Sequence, residues 1–337
     1  MNQRRRTFLK TSVLATAAAA SLRGLAPADA APASATTTGE LPRGMTFVTI
    51  KNGGGEPGLG VKTERGIVDV RAAEAAFRLK APTTITDVLR GRGDVKALGK
   101  LVERAAGRSN LVLAEDSVQF GPCVTSPEKI ICVGLNYRKH AAETGNQVPK
   151  TPILFNKYNN ALAGHRSVIR VSEEPTEKVD YEVELVIVIG RTARNVSEDA
   201  ALAHVFGYCT GNDLSARDLQ QRTSQWMIGK SLDGFAPIGP YLVTADQIPN
   251  PNALALETRV NGEVRQSSNT SDMVFDCKQL VAYASKMFTL QPGDIIFTGT
   301  PEGVIAGYPK DKQVWLKPGD KLTNRIDKLG ELAFTLG

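Results

Sequence analysis

The chain has 337 residues, of which 42% are hydrophobic and 23% are charged, so it is long enough for a large core or two domains. Its formal net charge of +6 comes mainly from residues 1–30, which hold five basic residues and one acidic residue. The remaining 36 basic and 34 acidic residues nearly cancel. That balance argues against a nucleic-acid-binding protein, because such proteins carry a strongly basic surface.

The first segment of the chain is predicted to be an export signal. Residues 5–10 (RRTFLK) match the twin-arginine pattern, and a modestly apolar, alanine-rich stretch follows at residues 13–22. That stretch is too short to span a bilayer, and residues 28–30 (ADA) have the small-x-small signature of a cleavage site. We therefore expect a signal peptide over residues 1–30 and a linker over residues 31–44. The resulting prediction is export by the twin-arginine pathway to the periplasm, with no membrane association after the signal is removed.

Residues 45–122 are predicted to form a small N-terminal α+β domain. Short apolar segments separated by glycine-rich turns indicate strands, and apolar residues at helical spacing indicate helices. The predicted strands cover residues 45–50, 60–62 and 66–70, and the predicted helices cover residues 86–89 and 95–106. The glycines at residues 53–60 lack the pattern of a phosphate-binding loop, so no function is predicted in this domain.

A second domain, residues 123–337, is predicted to carry the chemistry. After its first strand comes a helical segment that contains His140 and Glu143. Residues three apart on a helix lie on one face, and a carboxylate that orients a histidine makes a general base that can activate water. We expect His140 to be catalytic and the other two histidines, His165 and His204, to be structural.

Two carboxylates open a strand-like apolar run. Glu182 and Glu184 alternate with apolar residues immediately before a run that is rich in β-branched residues, so they project to the same side of a buried strand. Carboxylates held that close repel each other unless a cation lies between them, although a solvated edge strand would show the same pattern. A third carboxylate, Asp213, follows a short predicted strand over residues 208–210, which itself follows a predicted helix over residues 197–206. Hard oxygen ligands of this kind suit Mg²⁺, Mn²⁺ or Ca²⁺.

Further polar residues follow at the ends of predicted elements. Arg217 lies in the first turn of a helix, with Gln220 just beyond it, and Thr300 lies in a loop after a buried strand. Lys230 stands among small and apolar residues, where a lysine can neutralise a substrate carboxylate or a developing enolate. The four cysteines show no metal-ligand spacing, and we expect no essential disulfide.

Five ordered motifs give the chain a specific resemblance over residues 45–337. They are Asn136-Tyr137-x-x-His140-x-x-Glu143, Asp180-Tyr181-Glu182-x-Glu184, Asn212-Asp213-x-Ser215-x-Arg217-Asp218, Gly229-Lys230-Ser231-x-Asp233 and Thr298-Gly299-Thr300-Pro301. In these motifs the chain resembles the fumarylacetoacetate hydrolase family. The resemblance implies a mixed β-rich α+β fold, with a β-roll or flattened-barrel core and a small N-terminal domain, and it implies a homodimer.

The resemblance also implies a site and a reaction. Glu182, Glu184 and Asp213 would hold Mg²⁺ or Mn²⁺, while Arg217, Gln220 and Thr300 would orient the carboxylate of a small 2-oxo acid. Asn136 replaces an aspartate that some members use as a fourth ligand, which points to the acylpyruvase-like branch. His140, Glu143 and Lys230 would then catalyse hydrolysis of a C–C bond in an acylpyruvate, a 2,4-dioxo acid, with pyruvate leaving as an enolate held at the metal.

Other activities use the same groups. Decarboxylation of 2-oxo acids, isomerisation or hydration of hydroxymuconates, and dehydration of sugar acids all need a place where an enolate is stabilised. The side chains that separate these reactions line the far part of the pocket, so the sequence distinguishes them poorly. An exported protein that only binds a metal or ligand is a further alternative, and the presence of His140, Glu143 and Lys230 argues against it.

Overall fold

A computed structural model describes residues 40–51 and 55–337. Strands dominate this part of the chain. They are β1 (Thr46–Ile50), β2 (Gly58–Thr63), β3 (Gly66–Asp69), β4 (Val112–Leu113), β5 (Ile130–Gly134), β6 (Ile153–Lys157), β7 (Leu162–Ala163), β8 (Val168–Ile169), β9 (Val179–Asp180), β10 (Val183–Ile189), β11 (Val205–Asn212), β12 (Ser215–Ala216), β13 (Ala236–Pro237), β14 (Leu242–Thr244), β15 (Ala255–Val260), β16 (Glu263–Asn269), β17 (Ile295–Phe297), β18 (Lys321–Ile326) and β19 (Gly330–Leu336).

The α-helices are short and most lie between strands. They are α1 (Val70–Phe77), α2 (Ile85–Leu89), α3 (Val95–Ala105), α4 (Arg138–Glu143), α5 (Glu198–Ala201), α6 (Arg217–Gln220), α7 (Met227–Lys230) and α8 (Cys277–Met287). Side-chain caps define where the longer ones begin: Asp94 caps α3, and Asp276 forms a capping box with Gln279 at the start of α8. No helix in the described ranges is long and apolar enough to cross a membrane.

Two sheets organise the fold. A ten-stranded sheet has the order β4-β3-β2-β1-β14-β11-β10-β17-β5-β6, and a five-stranded sheet has the order β16-β15-β18-β19-β8. Most neighbours are antiparallel, but β17 pairs with β5 in parallel. The mixed β-rich fold is therefore confirmed. Both sheets are open, and no closed barrel is present among the described residues.

The centre of the large sheet is buried on both faces. Every residue of β10 and of β11 is buried, which explains why β10 reads as a continuous apolar run rather than as an alternating one. The two strands pair antiparallel from Val183 opposite Asn212 to Ile189 opposite Val205. Residues at the start of β10 therefore lie beside residues at the end of β11, and the candidate site forms there.

The helix predicted over residues 197–206 is wrong in its second half. The helix α5 ends at Ala201, a single 3₁₀ turn follows, and β11 begins at Val205. Val205 and Phe206 are a β-branched and an aromatic residue, both types that favour strands, and their burial against neighbouring strands outweighs the helical spacing. The strand β11 is consequently longer than the predicted strand over residues 208–210.

The strands of the predicted N-terminal domain lie in the same sheet as the site. Strand β1 pairs with β14, and β14 pairs with β11, so strands β1–β4 extend the ten-stranded sheet outwards. A boundary near residue 122 stays a prediction, as does the homodimer.

His165 is a structural histidine, as expected from the sequence. Its Nδ1 accepts a hydrogen bond from the backbone N–H of Ala333 at 3.0 Å, and its ring packs edge-on against Phe120. Burial, with a smaller effect from the charge of Arg166, lowers the pKa of His165 from 6.5 to about 4. The folded protein therefore keeps this ring neutral at mildly acidic pH.

The shifted pKa of His165 predicts a measurable loss of stability in acid. Between about pH 6.5 and pH 4 the unfolded chain binds a proton that the folded chain refuses, so the free energy of unfolding falls as pH falls through this window. In His165→Asn the amide oxygen can still accept the Ala333 hydrogen bond, but the titration is gone. Urea unfolding at pH 7 and pH 4.5 should show a smaller acid-induced loss in the variant. An equal loss in both proteins would contradict the prediction.

Candidate active site

Three carboxylates meet where β10 begins and β11 ends. Glu182 immediately precedes β10, Glu184 lies within it, and Asp213 immediately follows β11. The backbone N–H of Asp213 donates to the carbonyl of Glu182 at 2.8 Å, which joins the two strand ends. Oxygens from the three side chains lie within 4.8 Å of one another. The three residues are only 5%, 2% and 0% exposed, so their charges are largely removed from water.

Two cations neutralise most of this cluster. Lys230 Nζ donates to Oε2 of Glu182 at 2.7 Å and to Oδ2 of Asp213 at 2.8 Å. Arg217 Nη2 donates to Oε1 of Glu182 at 2.6 Å. Burial would raise the pKa of Glu182, but the charges of Lys230 and Arg217 outweigh burial and lower that pKa to about 2. Glu182 is therefore a stable anion.

Glu184 has no such partner among the described residues. Its Oε2 accepts the backbone N–H of Gly299 at 2.6 Å, and none of the ion pairs of the described chain includes it. Burial, together with the charges of Asp213 and Glu182, raises the pKa of Glu184 well above its usual value. Gly299 has φ +98°, and a Cβ there would lie 2.7 Å from Cβ of Asn136, so glycine permits this close approach.

A second lysine, which the sequence analysis missed, completes the cluster. Lys157 at the end of β6 is fully buried, and its Nζ lies 2.6 Å from Oδ1 of Asp213. That ammonium group also donates to the carbonyls of Leu214 at 3.1 Å, Phe235 at 2.9 Å and Lys230. Oδ1 of Asp213 accepts no hydrogen bond from the described residues, so the lysine charge is its only compensation. A lone lysine in a strand is normally exposed, and nothing in the local sequence marks this one.

The acidic triad fits a divalent metal ion. It offers hard oxygen ligands and a buried glutamate, Glu184, that belongs to no ion pair of the described residues, and a doubly charged cation would offset the charge of that glutamate. The side chain of Asn136, where some family members have a fourth carboxylate, is already engaged with the protein backbone. Its amide donates to the carbonyls of Phe275 and Thr298 and accepts the N–H of Phe275, so it ties backbone segments together.

His140 and Glu143 form the predicted pair on α4. Nδ1 of His140 lies 2.8 Å from Oε1 of Glu143, and Oε2 of Glu143 accepts the N–H of Gly303 at 2.8 Å. A Cβ at Gly307 would lie 2.6 Å from the Glu143 carboxyl carbon, so this glycine allows the loop after Thr300 to close against the pair. The histidine is thereby held with Nε2 as its free ring nitrogen, since no hydrogen bond to Nε2 occurs in the described chain.

The three predicted carboxylate-binding residues also come together. Arg217 Nη1 donates to Oε1 of Gln220 at 3.0 Å, and Nε donates to Asp180 at 2.9 Å. Thr300 Oγ1 accepts the side-chain amide of Gln266 at 2.9 Å. Much of Arg217 is therefore committed to carboxylates of the protein, whereas Gln220 keeps its amide N–H groups and Thr300 keeps its hydroxyl hydrogen for a ligand.

A cavity of about 670 Å³ joins these groups. Eight of the nine predicted site residues line it, and the ninth, Asp213, lies beneath Lys230. Trp226, which packs edge-on against Phe155, and Tyr308 form further walls that the sequence analysis did not identify. The volume lies within the roughly 300–1,000 Å³ that is usual for small-molecule sites.

Residues 129–336 match the family model described as "Fumarylacetoacetate (FAA) hydrolase C-terminal", a span that contains all nine site residues. The chain belongs to the fumarylacetoacetate hydrolase family. Among its relatives, the mitochondrial oxaloacetate tautomerase fahd2 of Xenopus laevis is 45% identical over 224 residues, which cover 66% of this chain and 69% of that protein.

Solved structures of family enzymes share the fold. Fumarylacetoacetate hydrolase from Exiguobacterium antarcticum is 33% identical with a TM-score of 0.72, and the match covers 87% of this chain and 99% of that one. Fumarylpyruvate hydrolase from Pseudomonas aeruginosa, solved with Mn²⁺ and pyruvate, is 35% identical with a TM-score of 0.57, and the match covers 65% and 91%. Bound Mn²⁺ in that relative agrees with an acidic triad that fits a divalent metal.

The predicted periplasmic location is wrong. The relative from Xenopus laevis is named as a mitochondrial enzyme, which contradicts twin-arginine export. Residues 1–30, on which the prediction depended, lie outside the described residues. An arginine-rich, alanine-rich and acid-poor N-terminus is a composition that export signals share with organelle transit peptides, so a short basic motif could not identify the compartment.

Because the charge of Glu184 is unmatched, replacing this residue should affect the stability of the metal-free protein and the stabilisation by Mn²⁺ in opposite ways. Glu184→Gln should leave the metal-free protein as stable as the wild type or more stable, because the amide is always neutral, whereas the carboxyl group must either take up a proton or bear repulsion from Asp213 and Glu182. The same variant should lose much of the stabilisation by Mn²⁺, which is about 2.7 kcal/mol at a hundred times Kd.

Thermal unfolding with EDTA and with a Mn²⁺ series measures both effects. Glu331→Gln, which replaces an exposed glutamate on β19, is the control and should behave as the wild type. A full Mn²⁺ shift in Glu184→Gln would exclude Glu184 as a ligand.

Proposed function

We propose that the protein catalyses proton transfer beside the 2-oxo group of a small 2-oxo acid, and that its reaction is the keto–enol tautomerisation of oxaloacetate. The observation that carries the proposal is the His140–Glu143 pair, which lines the same cavity as the acidic triad. The 45% identity to an oxaloacetate tautomerase supports this choice of substrate.

Glu182, Glu184 and Asp213 would hold the divalent cation, Mg²⁺ or Mn²⁺. When bound, such a cation supplies a Lewis acid that polarises the 2-oxo group and favours the charged oxygen of an enolate. Both metals prefer carboxylate oxygens, so the residues present suit either one.

His140 moves the proton. In the direction from enol to keto, Nε2 of the protonated imidazole gives its proton to the carbon beside the 2-oxo group. The proton that the enol hydroxyl releases returns through water to Nε2, so the ring ends as it began. Glu143 acts on His140 rather than on the substrate: it fixes the ring through Nδ1 and is itself fixed by the N–H of Gly303. A proton carrier positioned in this way typically contributes about 10²–10⁴-fold to the rate.

Two polar residues bind the carboxylate end of the substrate, and two cations support the site around them. Gln220 and Thr300 offer donors that no group of the described chain accepts, and both line the cavity. Arg217 acts mainly by holding Gln220 and Glu182 in place. Lys230 lies in the cavity wall and brings a positive charge to the side where enolate charge develops.

Hydrolysis of an acylpyruvate is the second candidate. The same histidine would then remove a proton from a water molecule that attacks the far carbonyl. This reading is supported by the 35% identity to a fumarylpyruvate hydrolase and by a cavity of about 670 Å³ that leaves room beyond a four-carbon acid. Decarboxylation and hydroxymuconate isomerisation use the same groups, whereas a protein that only binds a ligand would not need the His140–Glu143 pair.

The two main reactions differ in their products. We expect the Mn²⁺-loaded protein to accelerate the loss of enol ultraviolet absorbance after enol oxaloacetate is dissolved, without forming pyruvate. Pyruvate release, followed by coupling to lactate dehydrogenase, should be measured in the same samples and with a set of acylpyruvates. Rapid pyruvate formation from an acylpyruvate, with no acceleration of tautomerisation, would reject the first candidate in favour of the second.

The role of His140 predicts a rate loss without a metal-binding loss. His140→Gln should lower kcat by about two to four orders of magnitude, because the amide can still contact Glu143 but cannot carry a proton. Glu143→Gln should be milder, since the imidazole remains. The Mn²⁺-induced thermal shift should survive in both variants, because neither residue belongs to the triad.

His204→Gln provides the matched control. This histidine lies outside the cavity lining, so its replacement should leave kcat unchanged. Near wild-type turnover in His140→Gln would show that the His140–Glu143 pair is structural.

A further inference from the structure

A dicarboxylic substrate presents a second charge that the acidic triad and its partners cannot match. If one carboxylate of oxaloacetate binds at Gln220 and Thr300, as in the proposed function, the other carboxylate lies further along the cavity. A carboxylate that leaves water needs a cation or several donors at its destination. The residues that line the cavity therefore have to supply a cation or donors for the second carboxylate.

Among the cations that line the cavity, Lys310 is the one left uncommitted. Arg217 pairs with Asp180 and Glu182, and Lys230 pairs with Glu182 and Asp213. Lys310 also lines the cavity, and its side chain has neither an ion pair nor a hydrogen bond with any described residue. It is exposed to solvent while it lines the cavity, so it lies at the mouth, where the cavity opens.

The loop that carries Lys310 is tied to the buried cluster. Asp180 accepts the N–H groups of Ile305 and Ala306 at 2.8 and 3.0 Å. The side-chain amide of Gln313 donates to the carbonyls of Tyr308 at 2.9 Å and Ala306 at 3.3 Å, closing the loop on both sides of Lys310. The lysine therefore stands at a set position relative to the triad, although its side chain can move.

We propose that Lys310 binds the far carboxylate of a dicarboxylic 2-oxo acid and so sets the preference of the enzyme for diacids over monoacids. The inference rests on one part of the proposed function, namely that the ligand is a 2-oxo acid. It assigns Lys310 to substrate binding and not to the chemical step.

The test compares ligands of equal length that differ only at the far end. 2-Oxoglutarate and 2-oxopentanoate both have five carbons, and one ends in a carboxylate where the other ends in a methyl group. Calorimetric titration of the Mn²⁺-loaded wild type should give tighter binding of the diacid by about tenfold, the size expected for a charged hydrogen bond weakened by solvent. Lys310→Met should bring the two dissociation constants within about twofold of each other, and it should leave binding of the monoacid unchanged.

Lys312→Met is the matched control, because Lys312 lies in the same exposed turn but does not line the cavity. It should keep the diacid preference of the wild type. With oxaloacetate as substrate, Lys310→Met should raise KM and preserve kcat, as expected for a contact made equally in the ground state and the transition state. Higher salt should reduce the wild-type preference and have no effect on that of the variant.

Three outcomes would overturn the inference: equal affinities of the wild type for both ligands, an unchanged preference in Lys310→Met, or an equal loss in Lys310→Met and Lys312→Met. An equal loss in both variants would mean that the preference comes from the overall positive charge of the turn and not from Lys310 itself. Absence of tautomerase activity, combined with a diacid preference that disappears only in Lys310→Met, would reject the proposed function and leave the inference standing.

Discussion

Six buried side chains of alternating charge hold the site together. In spatial order they are Asp180, Arg217, Glu182, Lys230, Asp213 and Lys157. An isolated charge in a low-dielectric interior is very costly, and removing one member of a buried pair typically costs about 3–5 kcal/mol. The row therefore persists as a unit. One end binds the loop at Ile305 and Ala306, and the other end binds backbone carbonyls at Leu214 and Phe235, so the charges fix segments that are distant in sequence.

The row is electrically neutral, and Glu184 stands outside it. The row contains three carboxylates and three cations, so its charges cancel. The charge of Glu184 has no counterpart there, and the pKa of Glu184 is raised because the group is buried beside other carboxylates. Without a metal the cluster reaches neutrality when Glu184 takes up a proton. With a divalent cation and an ionised Glu184 it carries one net positive charge, which is the charge that a single substrate carboxylate cancels. The lysines and the arginine thus determine how much negative charge the pocket accepts.

Neighbours along the chain could be predicted from local spacing, whereas contacts across the fold, such as that of Asp213 with Glu182, came only from the family resemblance or were missed. The i,i+3 spacing of His140 and Glu143 and the strand alternation at Glu182 and Glu184 identify neighbours directly. Lys157 meets Asp213 only because β6 and the segments after β11 fold against each other, and no local pattern contains that information. The error in the second half of the helix predicted over residues 197–206 has a related cause, since the pairing of β11 with β10 overrides local helical spacing.

In the proposed function, the residues that carry out the chemistry are different from the residues that select the substrate. On this proposal, the row and Glu184, with a bound metal ion, match one carboxylate beside the 2-oxo group, and the His140–Glu143 pair carries the proton whatever lies further along the ligand. Tautomerisation, hydrolysis and decarboxylation therefore need no difference in this half of the cavity. On the same proposal, a second carboxylate finds no unmatched charge in the row and is met at the mouth, where residues of the loop from Val304 to Gln313 line the cavity. Because Asp180 ties that loop to Arg217, a change in the loop alters which acid fits while the buried charges stay in place. The proposed function thus separates the loop, which selects the acid, from the buried charges and the His140–Glu143 pair, which act on its 2-oxo end.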